Sequence, residues 1–220
     1  MEGSQSSVWD AAARGYNEQK KSDPLYPVCL RRVVADLHPY GRVLDAGCGT
    51  GLGTRLIRRA AELHAIDFSP NSLDVMQADL PHVKGRVADI RDLPYEDNYF
   101  DCVLSANTLQ HLTPAGQRAA VSELMRVLKP GGHFSISAHH YSIGKRAGGW
   151  IKEGKPGQAD IDYIYRFTRE DFVALFPGAQ VRAVAFYQWP CQWFLTRFAG
   201  HMLARKGYGD MLIAHGSKSG

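Results

Sequence analysis

Two periodicities of apolar and polar positions take turns along this chain. Val43-Leu44 and the stretch from Phe100 to Ala106 read as short buried strands, while Pro114 to Leu128 sets Ala119, Leu124 and Val127 at helical spacing. The pattern predicts helices over Val8–Gln19 and Leu25–Leu37, with Pro24 at the start of the second, then from Thr54 through Ala61, over Pro70–Gln77, and over Thr168–Leu175. Strands are expected at Arg42–Ala46, Leu63–Ile66, Gly85–Ala88, Phe100–Ala106, His133–Ala138, Gln180–Tyr187 and Met211–His215, with Lys129-Pro130-Gly131-Gly132 stopping the helix before the fifth. Such alternation argues for an α/β fold, a parallel sheet with helices on both faces. It lapses over Tyr141–Asp160, where five glycines predict a loop that acts as a mobile lid, and Cys191–Arg205 reads as an amphipathic helical insertion.

One segment carries most of the chemistry. Val43-Leu44-Asp45-Ala46-Gly47-Cys48-Gly49-Thr50-Gly51 runs from an apolar strand through an acidic residue into three glycines at every second position. Glycine there permits positive φ and lets backbone approach a ligand with no Cβ between. The dinucleotide fingerprint needs glycine where Leu52 stands, and no Gly-Lys-Ser/Thr follows for a P-loop. An acidic residue before the first glycine suits a cationic ligand better than a pyrophosphate.

Further carboxylates fall at predicted strand ends. Asp67 closes the second strand with Phe68 beside it, and can accept from both hydroxyls of a ribose. Asp89-Ile90 closes the third, where a carboxylate can accept from an adenine amino group while Ile90 covers the ring. Ser105-Ala106-Asn107 closes the fourth. Each aspartate alone reads equally as a cap or turn residue; their order at strand ends is the signal.

Asp45-Ala-Gly-Cys-Gly-Thr-Gly51, with Asp67, Asp89, Leu93-Pro94, Phe100-Asp101 and Leu128-Lys129-Pro130-Gly131-Gly132, resembles class I S-adenosylmethionine (SAM) methyltransferases of the ubiquinone/menaquinone-biosynthesis type. The matching region is about 41–137. The resemblance implies a Rossmann-like, doubly wound seven-stranded sheet, mostly parallel with an antiparallel last strand. It implies SAM as cofactor and S-adenosylhomocysteine (SAH) as product. Asp45, Gly47, Cys48, Gly49 and Gly51 would surround the methionine part, Asp67 the ribose, Phe68, Asp89 and Ile90 the adenine, and Asn107 the sulfonium. Tyr16, in Trp9-Asp-Ala-Ala-Ala-Arg-Gly-Tyr16, matches a family helix that closes over the cofactor.

Candidates for removing a proton from the acceptor are His111, His139, His140 and Tyr141, near the ends of strands four and five. Each histidine taken alone reads first as a satisfied structural residue. Residues 139 and 140 are neighbours, so on an extended chain they face opposite ways. The aromatics of Tyr187–Phe194 are either core or the wall of a pocket for a planar or apolar acceptor. No histidine spacing suggests a metal.

Composition narrows the picture. A chain of 220 residues suits one domain, with cap helices in 1–40 and substrate-side insertions at 141–167 and 188–206. Net charge is +4, and from residue 141 onward 11 Lys/Arg stand against 6 Asp/Glu. That mild basic bias, with the Tyr163-Ile-Tyr165-Arg-Phe167 element, keeps a wobble-uridine tRNA methyltransferase as the second reading. A protein that holds SAM or SAH without turnover is the third. Four scattered cysteines and a polar N-terminus fit a cytoplasmic protein without a signal peptide, and no apolar run reaches membrane-spanning length.

Overall fold

The computed structural model describes residues 9–13, 15–17, 20, 26–155, 163–184 and 211–220. Helix α1 (Tyr26–Leu37) leads into β1 (Arg42–Ala46), β2 (Glu62–Asp67), α2 (Pro70–Asp79), β3 (Lys84–Val87), β4 (Phe100–Ala106), α3 (Pro114–Val127) and β5 (Leu128–His139). Then follow α4 (Ile143–Ala147), β6 (Glu153–Gly154), β7 (Ile164–Tyr165), α5 (Arg169–Leu175), β8 (Gln180–Val184) and β9 (Met211–Ser217). Seven strands form one sheet in the order β3-β2-β1-β4-β5-β9-β8. All neighbours pair in parallel except β9, which runs antiparallel to both β5 and β8. The predicted mostly parallel sheet with an antiparallel last strand is therefore the observed one.

Strand periodicity explains the two layers of helix. Leu44, Ala46 and Val103 fall on one face and pack with α3 and α5 through Leu124, Phe172 and Phe176. Val43, Cys102 and Leu104 fall on the other and meet α1 and α2 through Val33, Leu37, Leu73 and Met76. Asp45 has the parity of Val43, so its carboxylate points toward the α1 side. Helix starts are set locally: Ser69 accepts from Ser72 N ahead of Pro70, and Thr113 accepts from Gly116 N ahead of Pro114. Thr168 and Asp171 close a reciprocal capping box on α5.

Three expectations are corrected. The helix expected from Thr54 to Ala61 is a single 3-10 turn, Thr54–Leu56. Ile57 turns extended and buries its side chain in the α1 face, and the amides of Ala61 and Glu62 both bond Gly41 O, returning the chain to the start of β2. Strand β5 begins at Leu128 rather than His133, because Lys129–Gly132 form an irregular extension that Lys218 clamps from β9's end. Within Tyr141–Asp160, residues 143–147 are helical and 153–154 pair with β7. Arg166 holds that segment, its backbone N bonded to Lys152 O and its guanidinium to Ile151 O at 2.6 Å. The insertion at 188–206, with Cys191–Arg205, and the aromatics from Tyr187 to Phe194 lie outside the described residues.

Candidate functional site

The loop after β1 is fixed before any ligand is considered. Gly47 N and Cys48 N both donate to Ile66 O, at 2.8 and 2.9 Å, tying the loop to the end of β2. Gly47, Gly49 and Gly51 all have positive φ (76°, 51° and 81°), where side chains are strained. Their surroundings differ. A Cβ on Gly47 would lie 2.3 Å from Thr108 Oγ1, and one on Gly51 2.6 Å from Met76 Cγ. A Cβ on Gly49 would meet nothing within 4 Å among the described residues. Two of the glycines therefore serve packing, and Gly49 alone leaves bare backbone facing open space.

Two buried carboxylates frame that space. Asp45 is 2% exposed and accepts from Thr54 Oγ1 at 2.7 Å. Burial lifts its carboxyl to about 7, against the Thr54 hydrogen bond and with help from neighbouring Asp67. Asp67 accepts Gly49 N on Oδ2 at 2.8 Å and Ser69 N on Oδ1 at 3.0 Å. Burial raises it too, while those backbone donors hold it down. Cys48 is buried, and that burial pushes its thiol well up, which leaves it an inert filler.

The N-terminal helical residues roof the site. Asp10 accepts from Ser69 Oγ at 2.5 Å and from Asn71 N, and Asn17 accepts from Thr50 Oγ1 at 2.6 Å. Tyr16 and Tyr26 share a hydroxyl hydrogen bond of 3.2 Å, and burial raises both phenols. Lys20 Nζ stands 5.2 and 5.0 Å from their ring centroids. Trp9 packs edge-on against both Tyr16 and His111.

The proton-transfer candidates separate. Asn107 takes a left-handed conformation (φ 57°) and donates its amide to Ser137 O, locking the end of β4 to β5. His111 Nδ1 lies 3.3 Å from Tyr163 O, which fixes the proton on that nitrogen, and Gln110 approaches Nε2 at 3.5 Å. Burial lowers its pKa to about 4. His139, at the last position of β5, has its pKa driven well below the ordinary value by burial first and then by the cationic and imidazole neighbours Lys145, His111, Arg166 and Lys20. His140 is buried and bridges to Phe167. Tyr141 donates its hydroxyl to Trp150 O at 3.0 Å. The structure thus gathers His111 and His139 and sends Tyr141 toward the 141–155 segment.

On the β3 side, Phe68 is half-buried and Ile90 buried. Arg91 grips Asp89 through Nε at 2.9 and 3.0 Å and through a terminal nitrogen at 2.5 Å. Desolvation opposes that pairing, yet the arginine keeps the Asp89 carboxyl below its ordinary value. Sequence reasoning passed over Asp10, Asn17, Thr50, Thr54, Thr108 and Gln110. Asp10, Asn17 and Thr108 meet their partners across 59, 33 and 61 residues, whereas Thr54 reaches Asp45 nine residues back and Gln110 reaches Asn107 three residues back. Among the described residues no group of His, Cys, Asp and Glu could hold a metal ion, and no helix is long and apolar enough to cross a membrane.

This strand order, the glycine loop after β1 and the carboxylates ending β1 and β2 define the class I SAM-dependent methyltransferase fold. Residues 43–132 match the model of a methyltransferase domain family, and that stretch of the chain belongs to it. It is 37% identical over 113 residues to an uncharacterized methyltransferase of Mycobacterium tuberculosis, covering 51% of this chain and 44% of that one. It is 36% identical over 177 residues to a malonyl-[acyl-carrier protein] O-methyltransferase of Halorhodospira halophila, covering 73% and 55%. Among solved structures, a SAM-dependent methyltransferase from Thermotoga maritima superposes with a TM-score of 0.71 at 18% identity, covering 96% of this chain and all of that one. The chain spans about half the length of the curated relatives it matches.

Proposed function

We propose that this protein binds SAM at the carboxyl ends of β1, β2 and β4 and transfers its methyl group to a small-molecule acceptor. The observation that carries this reading is Gly49: a positive-φ glycine whose Cβ direction is open, pinned by Asp67 and flanked by Asp45. A cationic amino acid moiety fits there, because a buried carboxylate and close approach without a Cβ come together.

In this reading Asp45 pairs with the ammonium of SAM, and Gly47, Cys48, Gly49 and Gly51 shape the space for its methionine chain. Asp67 meets the ribose with lone pairs left over from Gly49 and Ser69. Phe68 and Ile90 sandwich the adenine, with Asp89 toward its amino group as far as Arg91 allows. Asn107 lies beside the sulfonium, and Tyr16 helps close the roof. When bound, SAM supplies an electrophilic methyl on a sulfonium that leaves as a neutral thioether. The protein therefore needs no acid; it aligns the acceptor and, where the acceptor carries a proton, accepts it. His139, at the last position of β5, is the fitting base by position: burial and its cationic neighbours keep the imidazole neutral near pH 7 with a nitrogen able to accept, while the same neighbours limit how basic it is. His111 has its protonated nitrogen on Tyr163 O and serves to position the 107–111 turn.

No observation favours the tRNA reading, for Tyr163 and Tyr165 spend their hydroxyls on Glu153 and Asp171 and Phe167 is buried. Calorimetric titration decides the cofactor: micromolar SAH binding with no NAD binding is expected, and the reverse overturns the reading. Methyl transfer from labelled SAM into a panel of small acceptors and bulk tRNA then separates the enzyme from a protein that only holds SAH.

A further inference from the structure

The segment after β5 presents side chains that the fold does not bury. Among the described residues seven large hydrophobic side chains are exposed, and three lie within nine positions: Ile143 (47%), Trp150 (49%) and Ile151 (41%). The same stretch, 141–155, carries Lys145, Arg146, Lys152 and Lys155 against a single acid, Glu153.

The segment is held in shape rather than left loose. Trp150 N bonds Lys145 O, Gly149 N bonds Arg146 O, and Trp150 O accepts the Tyr141 hydroxyl. The buried Arg166 guanidinium lies 5.0 Å from the Trp150 ring centroid while donating to Ile151 O, and Lys145 Nζ lies 5.9 Å from the same ring. Lys152 pairs with Asp171 of α5 at 2.9 Å. An indole and two isoleucines are thus displayed on a segment of net charge +3, or +2 with the Asp171 that pairs with Lys152, on a platform tied to the end of β5.

We propose that residues 143–155 dock this protein on an anionic membrane surface. Exposed Trp and Ile among Lys and Arg is the composition that seats at a lipid headgroup boundary: the indole is apolar in body and polar at one edge, and long cationic chains keep their heads in water while their stems lie along lipid. Charge complementarity names the lipid, since clustered cations are drawn to acidic headgroups. A protein partner is disfavoured by size, for a stable interface recruits about 20–30 residues a side and this platform offers three apolar side chains. Resting on the proposed methyl transfer, the same placement points to an apolar acceptor that enters the site from the bilayer.

The test is sedimentation of the full chain with phosphatidylcholine vesicles, with and without phosphatidylglycerol. Binding is expected to the anionic vesicles, weakening at high salt. Trp150→Ala with Ile151→Ser should lower vesicle affinity at least tenfold at an unchanged thermal midpoint, and Lys145→Glu should do so through charge alone. No preference for phosphatidylglycerol, or vesicle binding that both variants leave intact, overturns the proposal. So does concentration-dependent self-association that Trp150→Ala abolishes, which would assign the face to a second copy. Vesicle binding needs neither SAM nor acceptor, so its failure is separate from a failure of the methyl-transfer reading.

Discussion

Gly49 donates its amide to Asp67 Oδ2 at 2.8 Å, so the carboxylate that ends β2 also anchors the glycine loop that follows β1. Asp67 supports the loop and faces the proposed ribose position at once. The two duties do not compete, because a carboxylate offers about four lone-pair sites and, among the described residues, the backbone of Gly49, Phe68 and Ser69 does not fill them all.

Asp67→Ala should therefore harm both the empty and the loaded protein. The N–H groups of Gly49 and Ser69 lose a charged acceptor, at about 1.5–3 kcal/mol for each hydrogen bond to a charged group. Scanning calorimetry should show a lower midpoint without ligand, and titration should show SAH affinity down tenfold or more. An unchanged apo midpoint would deny Asp67 its anchoring role.

Gly49→Ala and Gly47→Ala should part company. Alanine at position 49 meets only the strain of left-handed backbone, about 1–2 kcal/mol, because its Cβ enters open space. That Cβ would occupy the proposed ligand position, so SAH binding should fall far more than stability. Alanine at position 47 places Cβ against Thr108 and should destabilise the fold more strongly. Equal losses of stability in the two variants would contradict this division.

Asp45 should make stability fall with rising pH. In an unfolded chain its carboxyl titrates near 3.9, whereas in the folded protein burial lifts it to about 7. Below pH 4 both states hold the proton. Between about pH 4 and 7 the unfolded state releases it first, so stability drains away and the loss is complete above the folded value. Asp45→Asn removes that dependence. Its apo midpoint should gain on that of the parent protein from pH 5 to pH 8, while its SAH affinity falls about tenfold. A difference in midpoint that does not grow with pH would place the titration elsewhere.

His139 and His111 should answer substitution differently. With an acceptor that must lose a proton, His139→Gln is expected to lower kcat about 10²–10⁴-fold with SAH affinity nearly unchanged. The acidic limb of the parent's pH–rate profile should lie below 6.5, the ordinary value for histidine, because burial depresses His139. His111→Ala should instead lower the thermal midpoint, since it removes the Tyr163 contact and the packing on Trp9. Full activity in His139→Gln would exclude it as the base.

What the sequence determined by itself was whatever short-range chemistry dictates. Alternation with period two placed β1 and β4 to the residue, Pro114 opened α3, and the spacing of Gly47, Gly49 and Gly51 marked the tight turn after β1. Those signals are local because φ restrictions, caps and strand parity involve neighbours in the chain. The tertiary structure decided the rest. Helical propensity over Thr54–Ala61 lost to the burial of Ile57 and the need to reach β2 within a few residues. Asp10 meets Ser69 across 59 residues, Asn17 meets Thr50 across 33, and His111 meets Tyr163 across 52. No propensity encodes such pairs. They arise once the core fixes the sheet; burial within that sheet raises Asp45 and lowers both His111 and His139, and the contact with Tyr163 O is what sets His111 apart.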